Sequence, residues 1–227
     1  MNILGVSCFY HDSAACLIKD GIVVAAAQEE RFSRKKHDAG FPLEALKYCL
    51  KEGNITIDDV NYIVFYEKPI LKFERLLYQH LEMFPRSFPS FFKAIPNWMI
   101  DKLRIHSIMK KKLKYKGPIL FIEHHMAHAA SAFLVSPFKK AAILTVDGVG
   151  EWATASYGYG GENNITLLKE MMFPHSIGLL YSTVTAHLGF SVNNSEYKVM
   201  GLSPYGKPIY YDKFKKIVDI KEDGSFV

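Results

Sequence analysis

Cysteine is scarce: Cys8, Cys16 and Cys49 are the three in 227 residues. An odd number with no Cys-x-x-Cys spacing argues against a disulfide framework and a zinc ribbon. Inert, buried thiols in a reducing cytoplasm are the simplest reading. No stretch approaches the ~20 apolar residues of a membrane span. The start, Met1-Asn2-Ile3-Leu4-Gly5-Val6, has no basic residue ahead of its apolar run, which predicts no signal peptide. There is no Walker A loop, no G-x-G-x-x-G in a strand-turn-helix context and no repeat of solenoid length. A strong excess of one charge is also missing, with a formal net charge of only +5. The one basic cluster, Lys110-Lys111-Lys112-Leu113-Lys114-Tyr115-Lys116, is small enough to be a solvated helix end, so a nucleic-acid partner is not expected.

What is present reads as one mixed α/β chain. Apolar runs predict strands at 3–9, 13–19 and 22–28, with Asp20-Gly21 as a hairpin turn. A helix follows at 42–52, with Pro42 near its start and Gly53 just past its end, then a strand at 62–66. Residues 69–116 are rich in aromatics and broken by Pro85, Pro89 and Pro96, and read as a helical insertion packed on the main sheet. Regular alternation returns with a strand at 119–122, a helix at 124–134 and strands at 141–146, 152–159 and 165–173. A helix at 176–188 is capped by Ser176 and ends at Gly189. The segment 196–206 reads as a loop, and 211–218 as a short helix. A strand ending at His11-Asp12 before a hairpin is echoed by a strand ending at Asp147-Gly148 before an antiparallel pair. That is the layout of actin-like ATPase folds.

Three histidines fall in five positions at His124, His125 and His128. On a helix, His124 and His128 project from one face at the i, i+4 spacing. The apolar run Ala141-Ala142-Ile143-Leu144-Thr145-Val146 then delivers Asp147 to a strand end beside Gly148-Val149-Gly150. Two imidazoles and a carboxylate predict a metal site, and three ligands leave positions open for substrate. The glycines allow backbone amides to approach a phosphate. His125 points away from the pair and is expected to support the ligands rather than join them. His11-Asp12 is either a polar turn or an acid–base histidine with an orienting carboxylate; spacing alone does not separate the two.

Five blocks together carry a family pattern. They are 5–15, with Tyr10-His11-Asp12-Ser13; 28–36, with Glu29-Glu30-Arg31-Phe32; 124–133, with His124-His125-Met126-Ala127-His128; Asp147-Gly148-Val149-Gly150-Glu151-Trp152; and Glu196-Tyr197-Lys198-Val199-Met200-Gly201-Leu202. In this order they resemble the amino-terminal part of the NodU/CmcH-type O-carbamoyltransferases. The resemblance implies an actin-like ATPase fold of the Kae1-like (ASKHA) kind, a mixed sheet with flanking helices. It implies iron(II) held at His124, His128 and Asp147, ATP as co-substrate, and nucleotide contacts at Gly148, Gly150, Glu151 and Gly201. It implies a role in carbamoyl transfer for His11, with Asp12 beside it. Family members form carbamoyl-adenylate from carbamoyl phosphate and ATP in a YrdC-like domain and pass the carbamoyl group to a hydroxyl acceptor in the Kae1-like one. By the same resemblance, 1–227 is the amino-terminal portion of the Kae1-like domain. The second actin-like half, a further aspartate ligand and the YrdC-like domain lie outside it, so the isolated piece is expected to be inactive. The competing expectation is a Kae1-like nucleotide- or tRNA-associated metal-binding protein without carbamoyl transfer. The resemblance implies a small-molecule or sugar acceptor; an antibiotic sugar, a nodulation-type oligosaccharide and another hydroxyl compound all stay open, although 69–116 is expected to help shape the pocket, and self-association stays open as well.

Overall fold

Alternating burial in the first strands sets the architecture. Leu4 and Val6 of β1 (Asn2–Ser7) and Ala15 and Leu17 of β2 (Ala14–Lys19) point to one buried face. The structure, a computed structural model, describes residues 1–227, the side chain of Asn97 excepted. β2 turns through Asp20 and Gly21, at φ 50° and 82°, into β3 (Ile22–Gln28). Positive φ at both central residues is what a tight hairpin with right-handed twist requires. After the short helix α1 (Glu30–Ser33) and α2 (Leu43–Glu52) comes β4 (Tyr62–Phe65). The segment α3 (Pro69–Glu82), α4 (Phe88–Asn97), a π-helical turn (Trp98–Lys102) and α5 (Ile105–Leu113) then leads to β5 (Ile119–Phe121).

The first sheet has the order β3-β2-β1-β4-β5, with β1–β2 and β2–β3 antiparallel and β1–β4 and β4–β5 parallel. Its core joins Leu4, Leu17 and Ile63 to Leu46 and Cys49 of α2 and to Met109 of α5. Burial pushes the Cys8 thiol up to about 12, with the neighbouring Glu67 carboxylate adding to the effect, so this sulfur is no nucleophile near neutral pH.

The insertion expected at 69–116 is helical, but it is not uniform. Ile105, Met109 and Tyr115 belong to the main core, whereas Ile70, Leu81, Phe88 and Phe92 are exposed. Pro69 and Pro89 sit in first helical turns, where no amide hydrogen is missed. Pro96 lies near the end of α4, and the chain widens into the π turn directly after it. Lys110, Lys111 and Lys112 occupy the last turn of α5, where cations complement the helix dipole.

A second unit begins within α6 (His124–Phe133), the chain dividing into Met1–His124 and His125–Val227 at the first residue of that helix. β6 (Lys140–Val146), β7 (Ala153–Gly161) and β8 (Asn164–Met172) form an antiparallel meander in sequence order. Ala129 and Phe133 of α6 pack on Ile143 of β6. Gly160 is obligatory because a Cβ there would enter the Phe133 ring. Each sheet thus contains a three-strand antiparallel meander, β1–β3 in the first and β6–β8 in the second. α7 (Ile177–His187), α8 (Glu196–Leu202) and α9 (Tyr211–Phe214) complete the chain. Ser176 caps α7 as expected, its hydroxyl accepting from the Leu179 amide at 3.0 Å. Two expectations need correction. α9 is one turn rather than 211–218, and 196–202 is a helix rather than a loop. Glu196 accepts from the Asn193 amide at 2.8 Å and the Ser195 amide at 3.2 Å, which satisfies donors at the helix start. Among the described residues, no helix is long and apolar enough to cross a membrane.

Candidate metal centre and histidine loop

α6 places His124 and His128 one turn apart, and β6 ends at Asp147. Each of the three offers a ligand atom within 4.8 Å of the other two. His128 Nε2 lies 3.9 Å from Asp147 Oδ2. Two donors about 2.1 Å from one ion can be at most about 4.2 Å apart, so this pair already spans a coordination site. The donor set fits a first-row divalent metal, and two imidazoles with one carboxylate and open positions suit iron(II) in particular. The His128 side chain is half exposed, which leaves the open positions accessible.

The surroundings fix this geometry. His125 is 1% exposed beneath the helix. Its Nε2 donates to the Ala153 carbonyl at 3.0 Å, and its Nδ1 takes the Thr145 hydroxyl at 2.6 Å. The hydrogen-bond network assigns this tautomer. Thr145 Oγ1 is in turn 2.6 Å from Ser156 Oγ. One imidazole thus pins α6 to β6 and β7. His125→Ala removes one hydrogen bond from the Thr145 hydroxyl, which keeps Ser156, and one from the Ala153 carbonyl, which keeps the Gly150 amide. At about 0.5–1.5 kcal/mol for each bond, a stability loss of roughly 1–3 kcal/mol is expected as a lowered denaturant midpoint. An unchanged midpoint would show the network to be dispensable.

Asp147 is held from the other side. Its Oδ1 accepts from the Gly148 amide at 2.7 Å, and its own amide donates to the Thr154 carbonyl at 2.9 Å. The Ser176 hydroxyl donates to the Gly148 carbonyl at 2.6 Å. A Cβ on Gly178 would strike the Asp147 carbonyl and the Gly148 amide, so glycine is what lets α7 approach this turn. The Gly150 amide donates to the Ala153 carbonyl at 2.9 Å. The phosphate role expected of Gly148 and Gly150 therefore meets amides that already have acceptors inside the turn, and a phosphate would have to take their place. Glu151 is buried in the same turn. Gly201 lies exposed on α8 with open space around the position of a Cβ, so no close approach demands glycine there.

In the first unit, β1 ends in a loop whose Phe9 and Asp12 have φ of 65° and 51°. Left-handed backbone at two non-glycine residues is strain of the kind that functional loops carry. The Phe9 amide donates to the Ala39 carbonyl and the Ser13 amide to the Asp38 carbonyl, both at 2.8 Å. His11 Nδ1 is 2.8 Å from Asp12 Oδ2, so the contact that adjacency in sequence left open is made. Asp12 Oδ1 is 3.0 Å from His37 Nδ1. Burial raises the Asp12 pKa, but the two imidazole contacts outweigh it and hold the carboxyl below the usual carboxylate range. His37 was missed in the sequence. Its signal is the polar block 28–37, which the β2–β3 hairpin returns to the end of β1. Asp12, His37 and Glu30 form a second group with ligand atoms within 4.8 Å of one another, although both Asp12 oxygens already face imidazoles.

These features define a mixed α/β protein with a triad of side chains that could hold a metal. It belongs to the carbamoyltransferase N-terminus family, whose model matches residues 2–227. The chain is 53% identical over 234 residues to the protein sll1178 of Synechocystis, covering 99% of this chain and 38% of the relative. It is 33% identical over 225 residues to the nodulation protein NolNO of Sinorhizobium fredii, covering 96% of this chain and 31% of the relative. The chain spans about a third of the length of these relatives.

Proposed function

We propose that this chain carries the transfer chemistry of an O-carbamoyltransferase that takes its carbamoyl group from carbamoyl phosphate, by way of carbamoyl-adenylate, to a hydroxyl acceptor. The observation that carries the reading is the family match over residues 2–227. The local geometry supports it at His11. With Nδ1–H donating to Asp12, the Nε2 lone pair is left to accept a proton. His11 takes the proton of the acceptor hydroxyl as its oxygen bonds to the carbamoyl carbon. The bond from that carbon to the phosphate oxygen breaks, and AMP leaves with the electron pair. Asp12 orients the imidazole and stabilises its charged form. His37, on the other carboxylate oxygen, holds Asp12 in turn. His124, His128 and Asp147 would hold a divalent metal, with iron(II) favoured by the donor set, and it would supply Lewis-acid charge stabilisation.

The test uses the full-length protein with ATP, carbamoyl phosphate and a panel of hydroxyl compounds, read by mass spectrometry. Gain of one carbamoyl group by an acceptor, dependent on both ATP and carbamoyl phosphate, is the expected result. ATP consumption with no carbamoylated product across the panel would turn the assignment toward a nucleotide-binding protein.

A further inference from the structure

Ser13 is fully buried, and three segments of the first unit meet on it. Its amide donates to the Asp38 carbonyl at 2.8 Å, and its carbonyl accepts from the Glu29 amide at 2.8 Å. Its hydroxyl donates to the Gly40 carbonyl at 2.6 Å. Asp12 precedes Ser13 in the chain, His37 precedes Asp38, and Glu30 follows Glu29. The backbone beneath Asp12, Glu30 and His37 is therefore fixed through one residue, as a preorganised site requires.

The three side chains converge, each offering a ligand atom within 4.8 Å of the other two. The Glu30, Asp12 and His37 side chains are 20%, 28% and 33% exposed, so the group is sheltered yet open to solvent. Asp12 Oδ1 lies 3.0 Å from His37 Nδ1. Donors about 2.1 Å from one ion stand about 3.0 Å apart at right angles, against about 3.4 Å in a tetrahedron. This pair already has the spacing of an octahedral edge. An ion can take the place of the shared hydrogen with little movement, the imidazole then carrying its proton on Nε2. Asp12 Oδ2 stays with His11. Glu30 closes the group: its Oε2 accepts from the His37 amide at 3.0 Å, and Arg31 reaches only to 3.7 Å from its Oε1. Two carboxylates brought this close together favour a cation between them.

We infer that Asp12, Glu30 and His37 form a second divalent-cation site, built within the first unit alone. It goes beyond the transferase reading and does not depend on it. The donor ratio is the inverse of that in the triad on α6 and β6: one imidazole and two carboxylates in place of two imidazoles and one carboxylate. An oxygen-rich set with an octahedral edge suits manganese(II) among first-row ions. Uptake gives up the hydrogen bond between Asp12 and His37, so this site fills after the triad. The ion ties the loop that carries His11 to the segment 30–37 more firmly than that hydrogen bond does.

The full-length protein is titrated with manganese(II), the free ion being read by its electron paramagnetic resonance signal. His124→Ala and His128→Ala are present together, so that the triad does not contribute. Saturable uptake is expected, with one equivalent weakened tenfold or more by Glu30→Gln and likewise by His37→Asn. Gln keeps an acceptor for the His37 amide, and Asn tolerates the left-handed backbone at φ 54°. Unchanged circular dichroism then separates lost donors from lost structure. Manganese should also raise the thermal midpoint, and by less in Glu30→Gln, because an ion bound only to the folded state stabilises it. No uptake, uptake equal in the parent and both variants, or uptake weakened by only one of the two substitutions overturns the inference. Manganese uptake that follows the three donors in a protein without carbamoyl transfer leaves the site standing and removes the transferase reading alone.

Discussion

His11→Asn in the full-length protein is expected to lower carbamoyl transfer by about 10²–10⁴-fold, the usual contribution of a positioned general base. Consumption of ATP and carbamoyl phosphate in the preceding step is expected to persist, because the role proposed for His11 is confined to acceptor attack. Asparagine keeps a polar group beside Asp12 but offers no basic nitrogen. Asp12→Asn is the informative companion, since Asn tolerates the left-handed backbone at φ 51° while removing the charge and one of the two acceptor oxygens that face the imidazoles. Transfer is expected to fall in that variant too, through kcat rather than acceptor KM. The acid limb provides a further check. Asp12 is held below the ordinary carboxylate value of about 3.9, so its imidazole contacts contribute stability above that pH and lose it as the pH drops through the lower folded value. Turnover that survives His11→Asn undiminished would remove the imidazole from the mechanism.

The second large effect concerns the triad on α6 and β6. The chain is expected to bind about one equivalent of a divalent first-row metal, visible as cobalt(II) d–d absorption or by elemental analysis. His124→Ala, His128→Ala and Asp147→Asn should each weaken binding by more than about 100-fold. Disturbing an outer partner of a metal ligand already costs about 10–100-fold, and a lost ligand costs more. Gly178→Ala provides a control from outside the donor set, since its Cβ would push on the Asp147–Gly148 peptide. Metal content equal in all three ligand variants and the parent would show that the donors do not share an ion.

Much of this arrangement is legible in the residues, and the parts that are not have identifiable reasons. The i, i+4 histidines and the strand-end Asp147 are local signals, and local geometry brings them together. Asp20-Gly21 and the Ser176 cap are equally local and took the forms their residue types prefer. α8 escaped because Gly201, Ser203, Pro204 and Gly206 give the segment the composition of a turn. Its start is stabilised in part by the Ser182 hydroxyl bonding to Glu196, a contact from another helix. His37 escaped because 25 residues separate it from Asp12, and only the β2–β3 hairpin brings them together. The glycine turn at 147–150 looked ready for phosphate, but composition does not reveal which carbonyls its amides already serve. α5 was grouped with the insertion because its lysines mask an inward stripe of Ile105 and Met109.

His125 has a consequence for how this chain tolerates change. Successive residues on an α-helix are about 100° apart in azimuth, and the buried imidazole fits only where Thr145 and Ala153 meet it. It therefore acts as a key in a slot and sets the rotational phase of α6. Inserting or deleting one residue just ahead of the helix should be absorbed by the preceding loop, because turning the helix would force the slot to be filled by His124 or Met126. The face that carries His124 and His128 is in this way protected by a residue outside the candidate donor set.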